Sequence, residues 1–479
     1  MNRKMIFHVL GLVLVIMAAL MLLPVVAGLC FGENVLNFII TIAIAGGAGG
    51  AMLLIKPENR DMFARDGFAI VGGAWILMSL LGALPFVISG DIPDYIDAVF
   101  ETVSGFTTTG ASVVDNVEKM SRGCMFWRLE THWIGGIGML VFIMSVLPMS
   151  GEHSMHIMRA EVPGPVVGKL VPKIRDTAKI LYLIYLGLTV LEMILLLCGG
   201  MSFYDAVLHA FATAGTGGFS TRADSIAAYD SLYIDMVIAT FCIIFGINFN
   251  LYYLIILGKI KTALSSEELH TYVVLVSAAV IAIAFGISGT YGGFFKALRY
   301  SYFNVASIIS TAGFGNGDFT GWPAYTQWII VMLMFVGGCA GSTGGGLKLS
   351  RVMMLFKAAA ADVKQMIFPR SVTVVRMDKK RVDGPTVRAV YTYFSLYMIL
   401  LISVTLLISV DGFDVTTNFT AALSCVSNIG PGLGLVGPCG SFGIYSTFSK
   451  VVMSAAMLLG RLEIYPLMVL FMPTMWRNK

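Results

Sequence analysis

Charged residues are scarce in this 479-residue chain: they make up 13% of it, against 57% hydrophobic residues, and the mean hydropathy is +0.83. A soluble domain carries about 25% charged residues, so no soluble core would absorb this much apolar surface, and the chain reads as a polytopic membrane protein. The net charge of +4 is too weak and dispersed for a nucleic-acid partner. Paired cysteines are also missing. The seven cysteines, Cys30, Cys124, Cys198, Cys242, Cys339, Cys425 and Cys439, stand apart in apolar sequence without a CxxC, which argues for packing and against a disulfide or metal site. There is no HExxH or GxSxG, and the GxGxxG match at 432–437 has no strand before it, so no enzyme and no organic cofactor are expected. A glycine run before Lys348 echoes a phosphate-binding loop, but Leu347 separates Gly346 from the lysine and no strand precedes it.

Long apolar runs are what the chain has instead. A bilayer crossing takes about 20 apolar residues, and ten such stretches fall at 5–31, 35–55, 67–90, 127–148, 177–200, 229–258, 267–289, 325–347, 387–410 and 448–473. The first is too long for a signal-peptide core. Of the 32 Lys and Arg, 24 fall in alternate connections that include both ends, which makes those connections and both termini cytosolic.

The four longest outer loops, 89–126, 199–230, 289–325 and 410–450, each hold a further apolar stretch of about a dozen residues: Tyr95–Phe106, Phe203–Thr213, Ala297–Ser310 and Thr416–Ser427. Too short to cross, these are expected to dip into the membrane and return. They end in the turns Thr108-Thr109-Gly110-Ala111-Ser112, Thr216-Gly217-Gly218-Phe219-Ser220, Thr311-Ala312-Gly313-Phe314-Gly315 and Asn428-Ile429-Gly430-Pro431-Gly432. The central glycines lie 108, 95 and 117 residues apart, so a unit of span, half-helix, turn and span recurs four times in parallel. The expected fold is therefore all-α, four helix, re-entrant loop, helix repeats around a central pore plus two extra N-terminal helices. Its units are 1–60 (helix pair), 61–150, 151–262, 263–370 and 371–479. Glycine tolerates positive φ and lets four backbones converge, and rings of backbone carbonyls replace the hydration shell of potassium in potassium channels. Read one at a time, each loop is equally a plain reverse turn.

Two intramembrane features suggest control of a path. Gly337, Gly338, Gly341, Gly344, Gly345 and Gly346, with Ser342 and Thr343 among them, put six glycines in ten residues, which no stable helix holds. Irregular backbone at that depth has to be buried in protein or line water, unless it is simply a helix end at the cytosolic edge. Arg461, inside the last apolar run, is the second: it is either functional or structurally paired with Glu463 or with loop carbonyls. The outer loops hold 12 acids against 6 bases, an excess that would concentrate cations, although several of the acids also fit as helix caps.

The segments FETVSGFTTTGAS (100–112), RAEVPGP (159–165), HAFATAGTGGFST (209–221), GGCAGSTGGGLK (337–348), NIGPGLG (428–434) and GRLEIYPLMVLFMPTMWR (460–477) resemble the Trk/Ktr/HKT superfamily of cation transporters, most closely its TrkH type. The resemblance implies bacterial potassium uptake at the inner membrane. Its ion-coordinating carbonyls would belong to Thr108, Thr109, Thr216, Gly217, Thr311, Ala312, Asn428 and Ile429, with Gly110, Gly218, Gly313 and Gly430 as filter glycines and the loop 337–347 with Arg461 below them as the gate. It further implies a homodimer docked on a TrkA-type ring of cytosolic nucleotide-binding subunits; the basic segment 348–388 also fits anionic lipid headgroups. The chain departs from the pattern at Thr216-Gly217, at Gly315-Asn316-Gly317 and at His132, where a glutamine is expected and a structural role is the simpler reading. The competing functional reading is an alternating-access carrier for another cation or solute, which would show inverted repeats.

Overall fold

The structure, a computed structural model, describes residues 2–57, 63–138, 174–370 and 373–470 and is mostly helical. At the N-terminus, α1 (Arg3–Leu20) and α2 (Leu22–Cys30) are followed by α3 (Leu36–Leu53). Helices α1 and α3 pack so closely that a Cβ on Gly11 would strike the Gly49 carbonyl oxygen.

The remaining helices are described in four groups in chain order. The first holds α4 (Ala64–Gly82), α5 (Leu84–Ser89), α6 (Tyr95–Phe106) and α7 (Arg122–Ile137). The second holds α8 (Ile174–Cys198), α9 (Phe203–Gly215), α10 (Leu232–Phe245), α11 (Phe249–Ile256) and α12 (Ile260–Leu264). In the third, α13 (Glu267–Ile287), α14 (Phe294–Ile309), α15 (Ala324–Val336) and α16 (Leu349–Ile367) precede a small antiparallel hairpin, Arg376–Met377 with Lys380–Arg381. The fourth holds α17 (Gly384–Ile408), α18 (Val415–Ser427), α19 (Thr447–Arg461) and α20 (Tyr465–Leu470).

The short helices α6, α9, α14 and α18 lie within three residues of the four dipping stretches expected from sequence. Three start on a side-chain cap that satisfies otherwise unpaired N–H groups: Asp94 for α6, Ser202 for α9 and Asp414 for α18. All four bury most of their length, while α13 and α17 leave Phe285 and Leu406 about two-thirds exposed. Polar groups inside and apolar groups outside are what a lipid surround selects.

The ten expected spans need correction. Among the described residues six helices are long and apolar enough to cross a membrane, or seven if α10 and α11 count as one span bent by 91°. The shortfall lies in the helices that follow the glycine turns. Helix α7 stops before Gly138, α10 before Gly246, α15 before Gly337 and α19 at Leu462, with left-handed glycines at 138 and 337. Hydropathy runs on through these breaks, but backbone hydrogen bonding does not. The remainder of stretch 127–148, and the RAEVPGP segment, lie outside the described residues.

Candidate functional site

The site is built by one local motif used four times. At the end of each short helix the N–H of the residue before the central glycine donates five residues back: Thr109 to Ser104, Gly217 to Ala212, Ala312 to Ser307 and Ile429 to Ser424, at 2.8–3.0 Å. This is the wide C-terminal closure that a left-handed residue makes possible. The left-handed residues are Thr108 (φ 54°), Thr216 (54°), Thr311 (61°) and Asn428 (55°), each followed two positions later by a left-handed glycine: Gly110 (80°), Gly218 (77°), Gly313 (78°) and Gly430 (106°). A β-branched residue in this region costs about 1–2 kcal/mol, and three such threonines in register are strain kept at one place. Alternate left-handed residues turn successive carbonyls toward one side, where an ordinary strand would alternate them.

The four turns meet in cyclic order. A Cβ on Gly110 would strike the carbonyl oxygen of Gly217, one on Gly218 that of Ala312, one on Gly313 that of Ile429, and one on Gly430 would come within 2.8 Å of that of Thr109. Each central glycine thus abuts the carbonyl that precedes the next central glycine, and the fourth turn closes on the first. Thr108, Thr109, Thr216, Thr311, Ala312, Asn428 and Ile429 are all fully buried. Asn428 Nδ2 also donates to Thr109 Oγ1 at 2.9 Å, tying the fourth turn to the first by a side chain.

On one side of the ring lies an open cavity of about 340 Å³, with all four central glycines in its lining together with Asp115, Asp224, Arg222 and Cys439. The acids of the outer loops do more capping and pairing than the count of 12 suggested. Asp94 and Asp414 cap helices, Asp97 pairs with Lys450 at 2.7 Å, and buried Glu101 pairs with buried Arg128 at 2.6 Å. Arg128 in turn lies 3.5 Å from the centroid of Phe219 and donates to the Ser220 carbonyl, so it joins the first turn to the second. Hydrogen bonds from the Thr417 hydroxyl and N–H hold the Asp414 carboxyl below the usual carboxylate range.

On the other side of the ring runs the glycine-rich segment. Gly337, Gly341 and Gly346 are left-handed, as is Lys348. Gly345 N–H donates to Thr311 Oγ1 at 2.7 Å, while a Cβ on Gly344 would meet the Ser310 carbonyl and one on Gly345 that of Ser427. Gly338, Ser342 and Thr343 pack against the break between α10 and α11: Cys339 N–H donates to the Gly246 carbonyl at 2.9 Å, and Phe249 N–H to that of Gly341 at 3.0 Å. From the fourth group Arg461, only 8% exposed, donates to the Thr343 carbonyl at 2.8 Å and to those of Gly135 and Gly136 at 2.6 and 2.9 Å. Of the alternatives open in the sequence, loop carbonyls hold it; Glu463 pairs with Arg351 at 2.6 Å.

Several supporting residues were not singled out from sequence. Ser424 Oγ donates to the Gly430 carbonyl at 2.6 Å and Ser307 Oγ to that of Phe314 at 2.8 Å. Both serines stand six residues before a central glycine, a spacing visible once the turns are aligned. His132, which the sequence did single out, is fully buried and links the Gly105 carbonyl in the last turn of α6, at 2.8 Å, to the Phe219 N–H of the second turn, at 3.3 Å.

A family model described as TrkH, cation transport protein, matches residues 32–283 and 295–478 of this chain. A Trk system potassium uptake protein TrkH of Halomonas elongata is 34% identical over 485 residues, covering 100% of both chains. The Trk system potassium uptake protein TrkG of Escherichia coli is 33% identical and 99% of each chain is covered. The crystal structure of the potassium transporter TrkH from Vibrio parahaemolyticus superposes with a TM-score of 0.89 at 30% identity, covering 100% of both chains.

Proposed function

Since the chain belongs to the TrkH family of cation transport proteins, we propose that it is the ion-conducting subunit of a bacterial potassium-uptake system. The observation that carries this reading is the closed cycle of the four turns, in which each glycine abuts its neighbour's carbonyl. Oxygens of Thr109, Gly217, Ala312 and Ile429, with those of Thr108, Thr216, Thr311 and Asn428, replace the hydration shell of potassium on a central axis. The carbonyl ends of α6, α9, α14 and α18 add the negative ends of four helix dipoles on the same side. The four helix groups act as parallel repeats around that axis, 61–150, 151–262, 263–370 and 371–479, with 1–60 as an added helix pair.

In this reading, the open cavity is the outer entrance and the segment 337–347 with Arg461 is the gate below the ring. The chain sits in the inner membrane with both termini cytosolic and works as a homodimer. Nucleotide control comes from a TrkA-type ring docked on the cytosolic face, as the chain's own GxGxxG match, at 432–437, follows the fourth turn and not a strand. Expression in bacteria stripped of their own potassium-uptake systems tests the reading. Growth on limiting potassium, dependent on a co-expressed cytosolic partner, is expected; failure to support growth despite correct membrane insertion overturns it.

A further inference from the structure

Just beneath the ring, two neighbouring backbone carbonyls already hold cations belonging to the protein. Arg461 Nη1 donates to the carbonyl of Thr343 at 2.8 Å, and the ammonium of Lys348 donates to that of Gly344. Lys348 is 1% exposed and left-handed at φ 72°, a conformation that is strained for a long side chain. Among the described residues no carboxylate lies within salt-bridge distance of it: Glu463 contacts Arg351 at 2.6 Å and Glu268 accepts from the Ala340 N–H at 2.8 Å, and both act on the ammonium only through space.

A buried ammonium with no carboxylate in direct contact is costly unless its surroundings favour a cation. Here they do. Gly344 and Gly345 abut the carbonyls of Ser310, the C-cap of α14, and Ser427, the last residue of α18, at the negative ends of those helices. An ammonium is a compact monovalent cation that can donate to the same carbonyl oxygens that an alkali ion would bind.

We propose that the carbonyl oxygens of Thr343 and Gly344, beside those of Ser310 and Ser427, form a binding site for a monovalent alkali cation, which the Lys348 ammonium occupies in this conformation as a tethered substitute. The proposal rests on the reading that the four turns surround a cation path. An ion leaving the ring toward the cytosol then meets a site of the right chemistry that is already filled, and the lysine has to withdraw before the ion moves on. Lys348 ends the segment 337–348, and its left-handed backbone and its carbonyl partner mark it out.

The test uses the full-length protein and the variants Lys348→Met and Lys348→Arg, each soaked in Rb⁺ and located by anomalous scattering, with basal Rb⁺ flux measured in liposomes. In Lys348→Met an Rb⁺ peak is expected at the Gly344 carbonyl that wild type and Lys348→Arg lack, together with a several-fold rise in basal flux. Should the methionine variant fold poorly, Lys348→Gln removes the charge with a smaller change of shape. Rb⁺ bound among the four turns but absent from the loop in the folded variants overturns the inference and leaves the proposed function standing. Rb⁺ absent from the turns of every protein overturns both.

Discussion

Replacing Gly110 with serine perturbs one quadrant of the ring and almost nothing else. At φ 80° the new side chain carries the left-handed penalty of about 1–2 kcal/mol, and its Cβ lands on the Gly217 carbonyl oxygen, so one of the two turns has to give way. Selection between K⁺ and Na⁺ depends on where these oxygens stand, and each ~1.4 kcal/mol lost from the difference in binding is tenfold in ratio. Strain of this size, relieved by displacing one carbonyl, lowers the K⁺ to Na⁺ permeability ratio about tenfold while three turns keep the path conducting. Gly412→Ser is the control: that glycine has φ 78° but no neighbour within 4 Å of an added Cβ, so it bears the backbone penalty without touching the ring. Ion-specific flux in liposomes, after matching thermal stability, measures both variants. A wild-type ratio in folded Gly110→Ser, or an equal loss in Gly412→Ser, would refute the reasoning.

Other outcomes follow from the same geometry. Arg461→Ala, or a deletion within 341–345, removes a fixed charge that opposes a passing cation by on the order of a few kcal/mol; basal flux rises and depends less on a cytosolic partner, with selectivity little changed. Cys439 is exposed and lines the outer cavity, so a cationic thiol reagent added from outside reduces flux in wild type and spares Cys439→Ser. Glu101→Gln leaves Arg128 buried without its partner at a cost of about 3–5 kcal/mol, seen as a marked fall in melting temperature. Asp414→Ala removes a helix cap worth about 1 kcal/mol; because the folded carboxyl sits below its ordinary range, wild type loses this contribution only as pH falls through that lowered value. Reversing the charge of exposed Arg376, Lys380 and Arg381 weakens capture of a nucleotide-binding ring from the cytosolic side while sparing ion selectivity.

The short helices and their turns were readable from sequence because their determinants are local: an apolar stretch of limited length, a cap, then threonine or asparagine two residues before glycine. Of the broken helices only one was: the six glycines of 337–346 marked the end of α15. Around Gly246 apolar residues continue on both sides, and that break is held by contact between distant segments, such as Cys339 N–H on the Gly246 carbonyl. The acids illustrate the same limit. Their number is plain in the sequence, but Glu101 is spent on Arg128 and Asp97 on Lys450, partners 27 and 353 residues away. Lys348 looked like the end of a glycine run, and only its left-handed backbone and the Gly344 carbonyl mark it as a cation among carbonyls.

The central claim is that four turns from one chain form a single ring that selects potassium. The most direct measurement is the permeability of the purified, reconstituted protein to the alkali ions, read from reversal potentials under paired ion gradients. K⁺ and Rb⁺ are expected close together and well above Na⁺ and Li⁺, with Gly110→Ser, Gly218→Ser, Gly313→Ser and Gly430→Ser each narrowing the gap. Equal permeability to all four ions in wild type, or a gap that survives all four substitutions in folded protein, would contradict it.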